Sequence, residues 1–307
     1  MATLIYWFFL GVIGVLQRMP LAWVARLGRL GGAAAWIVDG RHRRMILSNM
    51  RAHLPEIPEE QVARLARENM LRIGEAYASA ARTSRMTPEE VLRVCETHGV
   101  ERLAQAAARH ELGNCVVAIG HFGNFEVNAI LGNVAGSFTP ATTYRGLKQA
   151  ALNKLLLRLR EKSGCLYFER RTQSKELMRA MAKGGMLLGI LSDQNASLGG
   201  IRLPFLGAEC STTTAPAVLA LRYDAPLFTA VCYRTAPGRW SIELGDEIPT
   251  HRDGEPRTVE ELMLEVNRAF EVAVRRDPAN WFWVHNRWKS KPVRKTAPPP
   301  AEGEPAS

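Results

Sequence analysis

Cys115-Val116-Val117-Ala118-Ile119-Gly120-His121-Phe122-Gly123-Asn124-Phe125-Glu126 is the stretch on which the fold turns. Five apolar residues without a polar break predict a strand buried on both faces, and the glycines beyond it predict a sharp change of direction at its C-terminal end. Outward from it, Met186–Leu191, Pro226–Tyr233 and Cys165–Phe168 read as further strands. Between them, Ala151–Lys162, Ser174–Ala182 and Thr213–Tyr223 have helical composition or spacing. Such alternation predicts an α/β fold with a largely parallel central sheet flanked by helices. Functional residues are then expected at strand C-termini and in the loops beyond them. Upstream, residues 59–82 place Val62, Leu65, Met70, Ile73 and Tyr77 near one helical face. No internal repeat is evident.

The chain has 307 residues, 47% hydrophobic and 23% charged, which suits a folded body with a full core. Its net charge of +10 is concentrated. Six arginines and one aspartate fall in residues 1–50, eight basic and two acidic residues in 145–171, and five basic and two acidic in 287–307. Together these exceed the whole +10, so the remainder is net acidic and the cations are placed for an anionic partner. The five cysteines, Cys95, Cys115, Cys165, Cys210 and Cys232, are scattered and form no CxxC pair, so neither a disulfide framework nor a zinc site is expected. His42, His53, His98, His110, His251 and His285 have no partners at ligand spacing, and no metal or cofactor is assigned.

Residues 2–16 (ATLIYWFFLGVIGVL) are uncharged, but a helix of that length reaches only about 22 Å against a hydrocarbon core of about 30 Å. It either spans marginally, lies shallow in the interface or packs as a buried helix. The basic residues follow the apolar run, which disfavours a cleaved signal peptide and leaves the following domain on the cytoplasmic side. Residues 21–38 carry Arg26 and Arg29 among Trp23 and Trp36, and read as an interfacial helix with snorkelling arginines. Residues 1–40 are therefore expected to be a membrane anchor, 41–292 the α/β domain, and 293–307, rich in proline, a disordered tail.

His121 ends the strand Cys115–Ile119, and Glu126 follows in the turn or first helical turn, a geometry that can bring the two side chains together. A histidine held through one ring nitrogen by a carboxylate is fixed in tautomer and made a better base, its other nitrogen free to take a proton from a hydroxyl. If that hydroxyl attacks a thioester directly, no serine or cysteine nucleophile is required. Asn124 is placed to cap the next helix. Arg145, after the strand-like Thr142–Tyr144, either grips a phosphate or forms a surface salt bridge. Asp193, ending Met186–Ser192, is either a site residue or an ordinary loop or cap aspartate, and Pro204–Gly207 reads as a strand end and turn. Lys154, Arg158 and Lys162 form one helical stripe, either solvated or docking an acidic partner. Trp281–Trp288 with Arg287 and Lys289 suits an interfacial wall or packing on the sheet.

His121-Phe122-Gly123-Asn124-Phe125-Glu126 resembles the HX4E motif of the late acyltransferases of lipid A biosynthesis, the lauroyl/myristoyl family of the lysophospholipid acyltransferase superfamily. Thr143-Tyr144-Arg145, Ser192-Asp193-Gln194, Leu203–Gly207 and Trp281–Lys289 follow in the family's order, and Arg43-Arg44-Met45 through Asn49 to Pro55-Glu56 resembles its N-terminal pattern. The resemblance implies a glycerolipid acyltransferase-like fold and a bacterial inner-membrane enzyme that moves an acyl chain from acyl carrier protein, or coenzyme A, to a hydroxyl of a phosphorylated lipid A precursor. It implies His121 as general base with Glu126 as its orienting partner, and Arg145 on an anionic group or the oxyanion. It also puts Asp193, Gln194, Asn124 and the Pro204–Gly207 loop on the substrate side. Gly146-Leu147-Lys148-Gln149, Asn195 and Asn286 depart from the family's usual residues, which bears on the acceptor. A lysophospholipid, ornithine lipid or phosphatidylinositol mannoside is the alternative acceptor. A basic membrane-binding protein without catalysis is the third reading; no nucleic-acid motif is present.

Overall fold

A computed structural model describes residues 2–289 except 137, 148, 197 and 198. The expected tail, 293–307, lies outside the described residues. Five helices lead: α1 (Ala2–Leu16), α2 (Leu21–Val38), α3 (Gly40–His53), α4 (Glu59–Thr83) and α5 (Pro88–Leu92). Then come β1 (Cys95–His98), α6 (Glu101–Ala107), β2 (Cys115–Ile119), α7 (Val127–Leu131), β3 (Thr139–Tyr144), α8 (Ala150–Arg160), β4 (Leu166–Glu169), α9 (Ser174–Ala182) and β5 (Met186–Leu191). A hairpin of β6 (Ile201–Phe205) and β7 (Ala208–Thr212) precedes α10 (Ala215–Arg222), β8 (Leu227–Ala236) and β9 (Arg239–Leu244). The short ribbon β10 (His251–Arg252) and β11 (Glu255–Pro256) leads into α11 (Val259–Arg276).

Seven strands form one sheet in the order β1-β9-β8-β2-β5-β3-β4. The five from β8 to β4 run parallel, as the alternation of apolar runs and helices predicts, while β9 returns antiparallel to β8 and pairs in parallel with β1. Strand periodicity assigns alternate residues to opposite faces. On one face Val116, Ala118, Leu188, Ile190 and Val231 join a large core closed by α3, α4, α9, α10 and α11. The amphipathic α11, started by a Thr258–Glu261 capping box, buries Val266 and Phe270 there. On the other face Val117, Ile119, Leu187, Ala230 and Leu244 pack with α6, of seven residues, while α5 and α7, of five residues each, pack on Cys95, Cys232, Trp240 and Ile242, and the cover is incomplete.

The N-terminal helices are tied to the body by close backbone approach. Gly28 and Gly32 on α2 face Gly74 on α4; a Cβ at Gly28 would stand 2.6 Å from the Gly74 carbonyl oxygen, so only hydrogen fits at this crossing. Arg29 extends the crossing to Glu68 at 2.8 Å and to the buried Glu75, which also takes the Arg234 guanidinium at 2.8 Å. Along α1 and α2, Trp7, Phe8, Phe9, Trp23, Leu30 and Ile37 remain exposed. No helix among the described residues is long and apolar enough to cross a membrane.

Candidate active site

β2 and β5 are neighbours with Ile119 opposite Leu191, so residues two places beyond each strand end emerge side by side. They are His121 and Asp193. The imidazole Nδ1 of His121 lies 2.6 Å from Asp193 Oδ1, and the His121 backbone N–H donates to Oδ2 at 2.7 Å. The Trp281 indole N–H donates to the same oxygen at 2.7 Å. Gly123 makes the turn possible: its φ is +49°, and a Cβ there would stand 2.7 Å from the Cys232 carbonyl oxygen.

Asp193 is fully buried. Burial alone would push its carboxyl up, but the imidazole beside it, the bonds from His121 and the nearby Arg287 guanidinium hold it down to about 2. Its charge at neutral pH assigns the shared proton to Nδ1 of His121, so that in the neutral ring the lone pair is on Nε2. Phe125 and Phe282 flank the ring, with centroids 4.7 and 5.9 Å away.

Glu126 is not the carboxylate bonded to His121, which corrects the expected pairing. It binds the Arg160 guanidinium in a two-pronged contact at 2.5 and 3.2 Å. Arg160 in turn lies over the Tyr167 ring at 5.1 Å. The pair still belongs to the site, because His121, Glu126 and Arg160 all line two cavities, the larger of mixed lining and the smaller mainly apolar. The larger, about 970 Å³, runs over the thinly covered face past Ile119, Leu187, Gly189, Ala230 and Leu244. The smaller, about 470 Å³, is walled by Phe9, Val12 and Leu16 of α1 with Ile73 and Tyr77 of α4.

The remaining expected residues separate. Arg145 is exposed and lines the larger cavity with Arg170, Arg171 and Lys289, and Gln194 lines it too. Asp193 sits behind His121 and outside both cavity linings, so it holds the His121 ring and does not line the substrate side. Asn124 lines the smaller cavity but caps nothing: its Nδ2 donates to Thr83 Oγ1 on α4 at 3.3 Å, and α7 starts without a side-chain cap. The Pro204–Gly207 turn lies outside both cavities. Phe205 and Leu206 are buried in the large core, and Asn267 and Trp288 donate to the Pro204 and Phe205 carbonyls.

Trp281, Trp283 and Arg287 are buried as well, so this cluster is core packing rather than a lipid-facing wall. Arg287 lies 4.1 Å over the Phe205 ring and donates to Asn267 at 2.6 Å. Sequence reasoning missed Arg160 and Trp281 as site residues. Arg160 had a signal in its place among the cations of 145–171, and Trp281 in the aromatic Trp281–Lys289 segment, though nothing in that segment pointed to a bond with Asp193.

The family model described as "Bacterial lipid A biosynthesis acyltransferase" matches residues 1–290. The chain is 23% identical over 294 residues to a lipid A biosynthesis palmitoleoyltransferase of Escherichia coli (strain K12), covering 95% of this chain and 93% of the relative. It is 22% identical over 290 residues to a lipid A biosynthesis lauroyltransferase of the same strain, covering 93% and 92%.

Proposed function

From the premise that this chain belongs to the bacterial lipid A biosynthesis acyltransferase family and is an acyltransferase, we propose that it transfers a fatty acyl group from a carrier-protein or coenzyme A thioester to a hydroxyl of a lipid A precursor, with His121 as general base. The observation that carries this reading is the 2.6 Å contact between buried Asp193 and His121 Nδ1, beside the two cavities that His121 lines. Nε2 takes the hydroxyl proton as the oxygen attacks the thioester carbonyl carbon. The tetrahedral intermediate collapses with cleavage of the C–S bond, and the imidazolium returns its proton to the departing sulfur. Ester and thiol are the products, and His121 ends as it began.

The larger cavity, apolar at depth and rimmed by Arg145, Arg170, Arg171 and Lys289, suits the donor: the acyl chain lies along the sheet and the cations meet phosphate. The smaller cavity opens beside α1 and takes a chain of the lipid acceptor. Glu126 acts through Arg160, pinning the guanidinium where the cavities adjoin. The exposed aromatic and aliphatic residues of α1 and α2, with Arg18, Arg26 and Arg43, seat the protein on the cytoplasmic face of the bacterial inner membrane. Lys154 and Arg158 on α8 approach Tyr6 of α1, so the basic stripe adjoins that surface.

The test is transfer by the purified protein in detergent, offered acyl carrier protein and coenzyme A thioesters with a tetra-acylated lipid A precursor or lysophospholipids, and product masses read. A lipid A product one acyl chain heavier is expected from the unaltered protein, and His121→Ala should lose about 10²–10⁴ of the rate. Transfer to lysophospholipid alone would refute the acceptor; undiminished transfer by His121→Ala would refute the base.

A further inference from the structure

A second histidine faces the larger cavity. His285, in the segment after α11, lines it together with His121, and its Nε2 accepts the Asn195 backbone N–H at 3.1 Å. Asn195 stands two residues beyond Asp193, so a single loop fastens both imidazoles, each by a different ring nitrogen. The Asn195 side chain ties the loop back, donating to the Arg287 carbonyl at 2.8 Å.

A neutral imidazole has one donor nitrogen and one acceptor nitrogen. His121 donates from Nδ1 and keeps its lone pair on Nε2. His285 is the opposite case: Nε2 is occupied as an acceptor, so the proton resides on Nδ1. Burial disfavours its charged form, and the nearby His121 and Arg287 add to that, against an opposing pull from Asp193. Among the described residues, no group accepts a hydrogen bond from His285 Nδ1.

Acyl transfer needs donors where negative charge develops on the carbonyl oxygen. Three backbone N–H groups at the strand end are already engaged: His121 donates to Asp193 at 2.7 Å, Phe122 to the Gly120 carbonyl at 2.9 Å, and Gly123 to the Asn280 carbonyl at 3.1 Å. Side-chain donors that line the cavity can serve the oxyanion in their place, and His285 is the one held by the same loop that holds His121. We propose that His285 is a further catalytic residue, its neutral Nδ1–H donating a hydrogen bond to the thioester carbonyl oxygen as the tetrahedral intermediate forms. It transfers no proton; the hydroxyl proton passes to His121 and then to sulfur. The proposal rests on the reading of His121 as base.

Two substitutions separate this role from simple bracing of the loop. His285→Gln puts an amide at the level of Nε2, keeping the acceptor for Asn195 and losing the Nδ1 donor. His285→Asn puts an amide at the level of Nδ1 and does the reverse. In the transfer assay, with the donor thioester titrated, His285→Gln is expected to lower kcat by about 10²–10³ with little change in KM. His285→Asn is expected to retain kcat to within about tenfold. The opposite ranking, equal losses or no loss in either would overturn the proposal.

Ring ¹⁵N–¹H spectra of the unaltered protein give a second readout that needs no variant to fold. A neutral Nδ1–H tautomer for His285 is expected near neutral pH, and an Nε2–H tautomer or an imidazolium there would overturn the proposal. Activity lost in His121→Ala but intact in His285→Gln would reject this role alone. Full activity in His121→Ala would reject the base reading instead.

Discussion

The two faces of the central sheet are made of the same strands and largely the same residue types, yet they do different work. Leu187 and Leu188 are neighbours on β5: Leu188 points into the core closed by α9, α10 and α11, and Leu187 points over the cavity that ends at His121. Long amphipathic helices fill one face, and helices of five to seven residues leave the other partly open. Void volume is costly in a protein interior, so a face left open is a candidate for a ligand's apolar surface. The same strands that make the rigid floor deliver His121 and Asp193 at their C-terminal ends, so stability and chemistry share a backbone but not a face.

The sharpest way to break this contrast is at the strand ends. Asp193→Asn should lower transfer by about 10³-fold or more, because an amide no longer fixes the His121 tautomer. It should also change the acid limb of stability. The Asp193 carboxyl sits at about 2 in the folded protein, below the roughly 3.9 of an unfolded chain, so its contribution is complete above pH 4 and lost as pH falls towards 2. Acid titration of unfolding should show that loss in the unaltered protein and a smaller one in the variant.

Next in size is the leucine pair. Leu188→Ala should cost about 3 kcal/mol of unfolding free energy by leaving an enclosed void, whereas Leu187→Ala, whose void merges with the cavity, should cost about half as much. Denaturant titration of both would blur the contrast if the costs were equal. The smallest expected effect comes from filling the open face: Gly189→Val puts branches where a Cβ would already approach Ile119 Cδ1 at 2.7 Å. The preferred acyl donor should then shorten, with discrimination against the native length of about tenfold, read by competing two thioesters.

Uninterrupted apolar runs made β2 and β5 legible, since burial on both faces requires them. β1 and β9 escaped notice because they are short or polar at alternate positions, Cys95-Glu96-Thr97-His98 and Arg239-Trp240-Ser241-Ile242-Glu243-Leu244, and sit at the margin of the sheet. The His121 partner was misread for a different reason. Glu126 is close in sequence, but Asp193, 72 residues away, is brought alongside by strand register. Both residues stand at strand ends in the sequence, but the strand order that sets β2 beside β5 is not written in either segment. The buried Trp281–Arg287 segment was likewise ambiguous, because aromatic residues flanked by cations suit a lipid interface and a protein core alike.

The glycine crossing of α2 on α4 bears on how the protein can be handled. Cutting away the first forty residues to obtain a water-soluble version would strip the cover from Gly74 and orphan the Glu75 carboxylate from Arg29, unsettling the helix that walls the smaller cavity. A preparation for crystallisation is better reached by repainting the outer surface, replacing Trp7, Phe8, Trp23 and Leu30 with polar residues while leaving the helices in place.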